Sequence, residues 1–324
     1  MKYIELPDTA TRRLSFYLAM EEYVARHVDE DDCFFMWQVN PSVIFGRNQL
    51  IENEVNLDYC REHGIQTFRR KSGGGCVYAD MSNVMFSYIT RDENVNFTFN
   101  RYVNMVVLVL NELGVAARSG GRNDIMIGDR KVSGNAFYHI PGHSIVHGTM
   151  LYDTDMENMV GSITPTNEKL VSKGIESVRQ RIALLKDYTA VTLEEFKAFV
   201  CSRLCQGEVR LSQDDVRMIE EIERDYLTPE FIYGKNPRHT VTRKRRIEGV
   251  GDLELRMELK NNVIKSVNLM GDFFLVGDVD NRLFLPLRNV ELSRESIVRA
   301  LPARVDDLIF NLSKEDLVNL ILDN

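Results

Sequence analysis

The chain lacks the features that would place it at once in several large protein classes. No apolar run reaches the roughly 18 residues that a membrane helix needs, and the N-terminus has no apolar signal-peptide core. The net charge of −8 over 324 residues argues against a general nucleic-acid-binding protein. We therefore expect a cytoplasmic protein of about two domains, at ~150 residues per domain, with neither membrane nor nucleic-acid partners.

Paired cysteines are also missing. The five cysteines do not form a C-x-x-C pair, and no His and Cys cluster has the spacing of a transition-metal site. This pattern predicts reduced thiols rather than a disulfide framework or a structural zinc site.

Three common catalytic motifs are absent as well. The sequence has no G-x-x-x-x-G-K-[ST] phosphate loop and no G-x-G-x-x-G between a strand and a helix, so the two commonest nucleotide-binding templates are excluded. It has no G-x-S-x-G, which argues against serine hydrolase chemistry. Internal repeats and low-complexity tracts are not found either.

Hydrophobic patterning predicts a mixed α and β chain with mostly antiparallel strands. Asp8 is the expected cap of a first helix that runs to about Val28. Other predicted helices cover residues 54–63, 99–113, 193–205, 214–226, 293–300 and 313–322. Predicted hairpins join residues 33–39 to 42–45 around Asn40-Pro41, 121–127 to 130–138 around Gly128-Asp129, and 253–259 to 263–270 around Asn261-Asn262. Further strands are predicted at residues 65–70, 84–89 and 144–152.

Residues 153–190 are polar and irregular, which is typical of a functional covering loop. The basic run at residues 243–246 is most simply a solvated linker or a strand edge. A domain boundary is expected near residues 240–250, which divides the chain into a domain of residues 1–245 and one of residues 246–324.

Three consecutive glycines at positions 73–75 follow Arg69 and Arg70 and lie between two apolar, strand-like segments. Glycine allows close backbone approach, and its neighbouring amides can converge on one anion. Arginine presents a planar set of donors that matches phosphate or carboxylate. The segment from Arg69 to Asn83 therefore predicts an anion site.

Three ionisable residues allow two interpretations each. Lys131, near the small residues Ser133 and Gly134, is either an exposed hairpin lysine or a cation that neutralises a carboxylate and the phosphate it attacks. His147 is either catalytic or a hydrogen-bonded packing residue, and packing is favoured. Asp124 either caps a turn or holds Mg²⁺ beside phosphates.

Taken together, these motifs resemble those of single-chain lipoate-protein ligases. The resemblance rests on the Arg69 to Asn83 segment, on residues 121–124 and 128–134, on His147-Gly148-Thr149, and on residues 173–179. Residues 233–235 and 271–274 extend it into the C-terminal domain, so that nearly the whole chain is covered. The chain departs from the family pattern at Ala79, where relatives often carry histidine, and at Cys76, where alanine or threonine is common.

The resemblance implies a catalytic domain of the biotin/lipoate ligase type, related to class II aminoacyl-tRNA synthetase cores, followed by a small α+β accessory domain. It implies that lipoate, ATP and Mg²⁺ give lipoyl-adenylate and pyrophosphate. The lipoyl group then passes to a lysine of a lipoyl domain, on an E2 subunit of a 2-oxoacid dehydrogenase or on the glycine-cleavage H protein. A monomer is predicted.

The resemblance also assigns site residues, with Lys131 as the catalytic residue. The implied ATP-binding residues are Arg70, Gly75, Cys76, Val77, Tyr78, Asn83, Asp124 and Lys131, with Asp124 as the Mg²⁺ ligand. The implied lipoate-binding residues are Arg70, Ser72, Gly73, Gly74, Lys131, Gly134, His147 and Gly148.

Two other functions remain open at this point. An octanoyl- or lipoyltransferase of the same fold would form a thioester without ATP, and Cys76 is its candidate nucleophile because it lies within the matched motifs. A non-catalytic acyl- or nucleotide-binding protein is the second. Biotin is disfavoured as the substrate because the glycine segment lacks an alternating Gly and Arg pattern, whereas lipoate and octanoate are not distinguished.

Overall fold

The structure is a computed structural model that describes residues 1–92, 94–121, 123–163, 178–234 and 239–322. The chain divides into two compact units. The larger unit contains Met1–Phe45, Glu52–Arg70 and Cys76–Ile232, and the smaller unit contains Gly46–Ile51, Lys71–Gly75 and Tyr233–Asn324.

The larger unit is built on two β-sheets. Its strands are β1 (Lys2–Glu5), β2 (Asp32–Trp37), β3 (Ser42–Phe45), β4 (Gln66–Arg69), β5 (Val77–Ala79), β6 (Val84–Thr90), β7 (Ala117–Ser119), β8 (Asp124–Ile127), β9 (Arg130–Ile140), β10 (His143–Met150) and β11 (Glu208–Arg210). Eight of them form one sheet in the order β11-β1-β2-β6-β10-β9-β8-β7, and the other three form a sheet in the order β4-β3-β5. Pairing is mostly antiparallel, but β1 runs parallel to β2 and β11, and β3 runs parallel to β4.

Helices pack against both sheets of the larger unit. They are α1 (Leu14–His27), α2 (Ile51–Glu54), α3 (Leu57–Glu62), α4 (Val95–Glu112), α5 (Met156–Ile163), α6 (Leu193–Leu204), α7 (Gln213–Tyr226) and α8 (Pro229–Tyr233). The side chains of α1 from Leu14 to Ala25 are buried, and they pack with sheet residues such as Phe35 and Ile145. Capping boxes at Thr192 and Ser212 satisfy the free amides that begin α6 and α7.

The smaller unit has a three-stranded antiparallel sheet with helices. Its elements are β12 (Val241–Ile247), β13 (Gly251–Lys260), β14 (Val263–Gly271), a π-helical turn (Asp280–Phe284) that continues into α9 (Leu285–Leu287), α10 (Arg294–Ala300) and α11 (Lys314–Leu322). Leucine, isoleucine and valine dominate its own core, for example Leu255, Ile297 and Leu317. A separate core of this size supports the prediction of an α+β accessory region.

Two predicted elements are wrong. Helix α1 begins at Leu14, because Asp8 instead accepts hydrogen bonds from the Ala10 amide at 3.0 Å and from Arg12 at 2.8 Å in a local turn. Strands β2 and β3 do not form a hairpin, since β2 pairs with β6 in the large sheet while β3 pairs with β4 and β5.

The turn geometry agrees with two of the predicted hairpins and with the ends of two predicted helices. Gly128 has a φ of +58° in the turn between β8 and β9, and Asn261 and Asn262 have positive φ in the turn between β13 and β14. Gly64 and Gly114 have φ values of +65° and +88° just after α3 and α4. In each case the residue type suits a left-handed backbone conformation.

Some predictions are met only in part by the described residues. The basic run 243–246 lies in β12, which is an edge strand. Of its two interpretations, the strand edge is therefore the one that the structure supports. Of the predicted covering loop within residues 153–190, positions 164–177 lie outside the described residues. The expected boundary after residue 245 falls within β12, and the division into residues 1–245 and 246–324 stays a prediction. None of the helices in the described ranges is long and apolar enough to cross a membrane.

Candidate functional site

The glycine segment packs closely against backbone of its own unit. The Gly74 amide donates to the Phe273 carbonyl at 3.1 Å, and Gly74 has a φ of +86°. A Cβ placed on Gly73 would lie 3.0 Å from the carbonyl carbon of Phe273. Gly73 is therefore required by close backbone packing and Gly74 by its left-handed backbone conformation, and the sequence pattern did not reveal these reasons.

The two arginines before this segment have different surroundings. Arg69 donates from Nε to the Ile232 carbonyl at 2.8 Å and lies over the Phe45 ring at 4.6 Å. Arg70 is buried, and its Nη1 donates to the Ile44 carbonyl at 3.2 Å. Burial lowers the pKa of Arg70 to about 10, which leaves it protonated at neutral pH. Arg70 is thus a buried cation held by the small sheet.

Cys76 begins the return from the glycine segment into β5. Burial raises the pKa of its thiol to about 12, and the opposing influence of Arg70 is smaller. A nucleophilic cysteine needs a lowered pKa, because the thiolate is the reactive form. The environment of Cys76 therefore disfavours the transferase alternative.

A buried polar group lies beyond β5. Asn83 is 1% exposed, and its Nδ2 donates to Asp80 Oδ1 at 3.3 Å and to Thr154 Oγ1 at 3.1 Å. Its Oδ1 has no hydrogen-bond partner among the described residues. Tyr78 is also buried, and burial raises the pKa of its phenol. A buried acceptor without a donor is costly, so Asn83 Oδ1 marks a position suited to a ligand donor.

Lys131 and Asp124 form an ion pair across β8 and β9. Lys131 Nζ lies 2.8 Å from Asp124 Oδ1, and both side chains are about one-third exposed, at 38% and 31%. A Cβ on Gly134 would lie 2.7 Å from both Lys131 Cε and Lys131 Nζ. Glycine at position 134 therefore provides the space in which the lysine side chain lies.

A β-bulge determines this arrangement. Ile125 pairs with Ser133 while Met126 pairs with Lys131, so Val132 is an extra residue in β9, and its side chain is fully buried. Simple alternation predicts that Lys131 shares a face with Ser133, but the extra residue moves it over Gly134 instead. A bulge commonly redirects a side chain in this way.

His147 lies in a buried polar network centred on Glu21. His147 Nδ1 is 2.9 Å from Glu21 Oε2, and Glu21 has no exposed surface. Ser87 Oγ donates to Glu21 Oε1 at 2.6 Å, Trp37 Nε1 donates to Ser87 Oγ at 2.9 Å, and Tyr138 donates to Glu21 Oε2 at 3.3 Å. The packing interpretation of His147 is therefore supported. Sequence reasoning missed Glu21, although two acidic residues in the apolar stripe of α1 were a signal.

The next residue, Gly148, faces Asn135 on the neighbouring strand. A Cβ on Gly148 would lie 2.9 Å from Asn135 Cγ. Asn135 Nδ2 donates to the Asn123 carbonyl at 3.0 Å, and Asn123 Nδ2 donates to the Asn135 carbonyl at 2.8 Å. This reciprocal clamp joins β9 to the residue before Asp124.

The structure brings some of the predicted site residues together. Lys131, Asp124 and Gly134 form one group on β8 and β9, and Arg70 and Cys76 interact at the ends of β4 and β5. Val77 is a half-buried residue of β5. Ser72, Gly73, Gly74 and Gly75 belong to the smaller unit. Residues 122, 173–177 and 235 of the motifs lie outside the described residues.

Comparison with known proteins shows relatives over most of the chain. The model of the lipoyl protein ligase A/B catalytic domain matches residues 14–204, and that of the bacterial lipoate protein ligase C-terminus matches residues 236–321. Lipoate-protein ligase LplJ of Bacillus subtilis is 34% identical over 317 residues, which cover 94% of this chain and 95% of the relative.

Solved structures agree with this result. A bi-partite lipoate protein ligase from Thermoplasma acidophilum, described together with its E2 lipoyl domain, is 27% identical, has a TM-score of 0.65, and is matched over 74% of this chain and 100% of that chain. Lipoate-protein ligase A bound with ATP is 26% identical, has a TM-score of 0.62, and is matched over 71% of this chain and 97% of that chain. The predicted fold, a biotin/lipoate ligase type with a C-terminal α+β region, is confirmed. The chain belongs to the lipoate-protein ligase family and is an ATP-dependent ligase.

Proposed function

We propose that the chain activates lipoate with ATP and transfers the lipoyl group to a protein lysine at the site around Lys131 and Arg70. In the first step a carboxylate oxygen of lipoate attacks the α-phosphorus of ATP, and pyrophosphate leaves. In the second step a lysine ε-amine attacks the acyl carbon, loses a proton, and AMP leaves. The observation that carries this proposal is the ion pair between Lys131 on the bulged strand β9 and Asp124 on β8, with the lysine side chain in the space above Gly134.

Lys131 has the role of binding both reacting anions. An ammonium carries three donors, so one group can contact the lipoate carboxylate and the α-phosphate together. Bringing two anions together is electrostatically unfavourable in water, and a fixed cation between them removes part of that cost. Arg70 is the second candidate cation, because it is buried and remains protonated.

The other residues proposed to bind the nucleotide lie in β5 or close to it in the chain. Asn83 Oδ1 is a buried acceptor that suits a donor such as the exocyclic amine of adenine. Cys76, Val77 and Tyr78 are proposed to contact the nucleotide, because they lie in the segment that leads to Asn83. For lipoate, we propose contacts with Gly134, His147 and Gly148, in addition to Arg70 and Lys131, while the roles implied for Ser72, Gly73, Gly74 and Gly75 stay predictions.

The carboxylate group near Lys131 suits an Mg²⁺ ion that is held mainly by phosphate oxygens. Within the described ranges, no three His, Cys, Asp or Glu side chains form a metal-binding group. Mg²⁺ often uses only one or two carboxylates together with phosphate oxygens and water, and Asp124 provides one carboxylate beside Lys131. When bound, the cation would neutralise developing charge on the leaving pyrophosphate.

The proposed acceptors are lipoyl domains of 2-oxoacid dehydrogenase E2 subunits and the glycine-cleavage H protein. Their target lysines are expected to lie in acidic surroundings, which basic residues such as Arg47 and Arg179 would attract. Reversing these charges should weaken acceptor binding without changing adenylate formation. The cytoplasmic location and the monomeric state stay predictions.

The test of this function is pyrophosphate release from ATP and Mg²⁺ with lipoate, octanoate and biotin compared in parallel. We expect release with lipoate or octanoate, followed by acylation of an added lipoyl domain. Biotin is expected to give no release. Tight ligand binding with no pyrophosphate from any acid would instead indicate a non-catalytic binding protein.

Cys76 distinguishes the ligase from the transferase. Replacing Cys76 with alanine should leave ATP-dependent lipoylation within about threefold of the original rate, because a thiol with a pKa of about 12 is not a nucleophile at neutral pH. The measurement is the rate of lipoyl-domain acylation with and without ATP. ATP-independent transfer that disappears in Cys76→Ala would contradict the ligase mechanism.

A further inference from the structure

Lys131 is partly exposed, but its ammonium group is already ion-paired within the protein. Its ammonium lies 2.8 Å from Asp124 Oδ1, and that oxygen has no other polar partner among the described residues. The lysine that the proposed function assigns to the lipoate carboxylate is thus already paired with a carboxylate of the protein.

The backbone holds this pair in place from both sides. The Lys131 carbonyl accepts from the Ala183 amide at 2.8 Å, and Asp124 follows Asn123, which the reciprocal clamp ties to Asn135. The lysine side chain lies over Gly134, as the short distances to a Cβ at that position indicate. A pair that is fixed by its strands in this way does not need an added ligand to form.

The pair has an unfavourable consequence for anion binding. An incoming carboxylate that approaches Lys131 also approaches the negative Asp124, and like charges a few ångströms apart repel, even at a partly exposed site. A divalent cation prefers hard carboxylate oxygens, and Asp124 is the carboxylate beside Lys131. Lys131 and a cation therefore compete for the same carboxylate.

We infer that Asp124 is a positioning residue that withholds Lys131 from lipoate until the carboxylate turns to the divalent cation of the bound nucleotide. Lipoate and the metal–nucleotide complex then bind with positive cooperativity, since each favours the state in which Asp124 and Lys131 are apart. The inference rests on the proposed function, because it takes Lys131 to be the lipoate-binding cation. It adds the source of the coupling between the two substrates.

The test is calorimetric titration of lipoate into the full chain, first in metal-free buffer and then with Mg²⁺ and an ATP analogue whose bridge between the α- and β-phosphates cannot be cleaved. We expect Asp124→Asn to bind lipoate roughly tenfold more tightly than the original chain without metal, because the repelling charge is removed while the side-chain volume is kept. We expect the affinity of the original chain for lipoate to rise about tenfold when the metal and the analogue are added. The affinity of Asp124→Asn for lipoate should not change on the same addition.

A matched control is Asp153→Asn. Asp153 pairs with Lys186 at 2.7 Å in the same unit, and the side-chain exposures of 37% and 42% are close to those of Asp124 and Lys131. This variant should bind lipoate as the original chain does in every condition. A merely structural role for Asp124 would weaken binding or leave it unchanged, so the tighter binding is the decisive readout.

Lys131→Ala separates failure of the inference from failure of the proposed function. If this variant binds lipoate as tightly as the original chain, the carboxylate site has been assigned wrongly and both proposals fall. If Lys131→Ala binds weakly while Asp124→Asn binds no better than the original chain without metal, the inference alone is overturned.

Discussion

Replacing Lys131 with alanine is expected to lower lipoate-dependent pyrophosphate release by roughly 10²–10³-fold, the cost typical of removing one positioned donor at a developing charge. The substitution removes the cation that lies over Gly134 and that is proposed to contact both the carboxylate and the α-phosphate. It also leaves Asp124 unpaired at the place where two anions must meet. A continuous pyrophosphate assay at saturating ATP, with lipoate varied, measures the effect on both kcat and KM.

Lys186→Ala is the matched control for this experiment. Lys186 is also ion-paired, at 2.7 Å to Asp153, and its exposure is similar to that of Lys131. The hydrogen bond from its backbone N–H to the Tyr152 carbonyl does not depend on the side chain. We expect Lys186→Ala to keep activity within about twofold, as is usual for an exposed ion pair of small energetic value. Equal losses in the two variants would indicate a general structural effect and would contradict the role of Lys131.

Replacing Glu21 with alanine is expected to lower the free energy of unfolding by about 3–5 kcal/mol. Glu21 is fully buried and accepts from three groups, on Ser87, Tyr138 and His147. Removal of the carboxylate leaves these donors buried without their acceptor and creates a cavity beside α1. Urea denaturation followed by the fluorescence of Trp37, the single tryptophan, reports the change at the network itself.

The control for Glu21 is another glutamate in a helix of the same unit. Glu220 lies on the exposed side of α7, and its replacement by alanine is expected to change the free energy of unfolding by less than about 0.5 kcal/mol. A further test uses the double variant Glu21→Ala with Ser87→Ala. The two losses should not add, because both substitutions break the same network. A loss below about 1 kcal/mol in Glu21→Ala would show that the network contributes little to stability.

Local signals predicted the parts of the fold that local chemistry decides. Gly128 and the pair Asn261-Asn262 marked their hairpins correctly, because residues that accept a left-handed backbone are needed there. The pairing of β2 with β6 rather than β3 was not predictable in this way. A turn at Asn40 and Pro41 is compatible with a hairpin or with a change of sheet, and only contacts distant in sequence decide between them.

In the candidate site, too, some features are decided by local sequence and others by contacts with distant residues. The hairpin that carries Asp124, Lys131 and Gly134 followed from one short segment and its turn, but the ion pair between Lys131 and Asp124 was not predicted. The bulge at Val132 was not predicted either, since the extra residue is visible only against the partner strand. Glu21 was missed because a helix pattern does not say what an acidic residue will meet at a sheet face 126 positions away.

The position of β1 in the large sheet constrains the order in which the larger unit can fold. Its Tyr3 pairs with Phe34 of β2 on one side and with Glu208 of β11 on the other. A growing chain therefore carries its first strand with one edge unpaired until β11 has been synthesised, and such an edge invites pairing with other chains. The high sequence separation of this pairing also predicts slow folding, with closure of the β1 and β11 edge among the late steps.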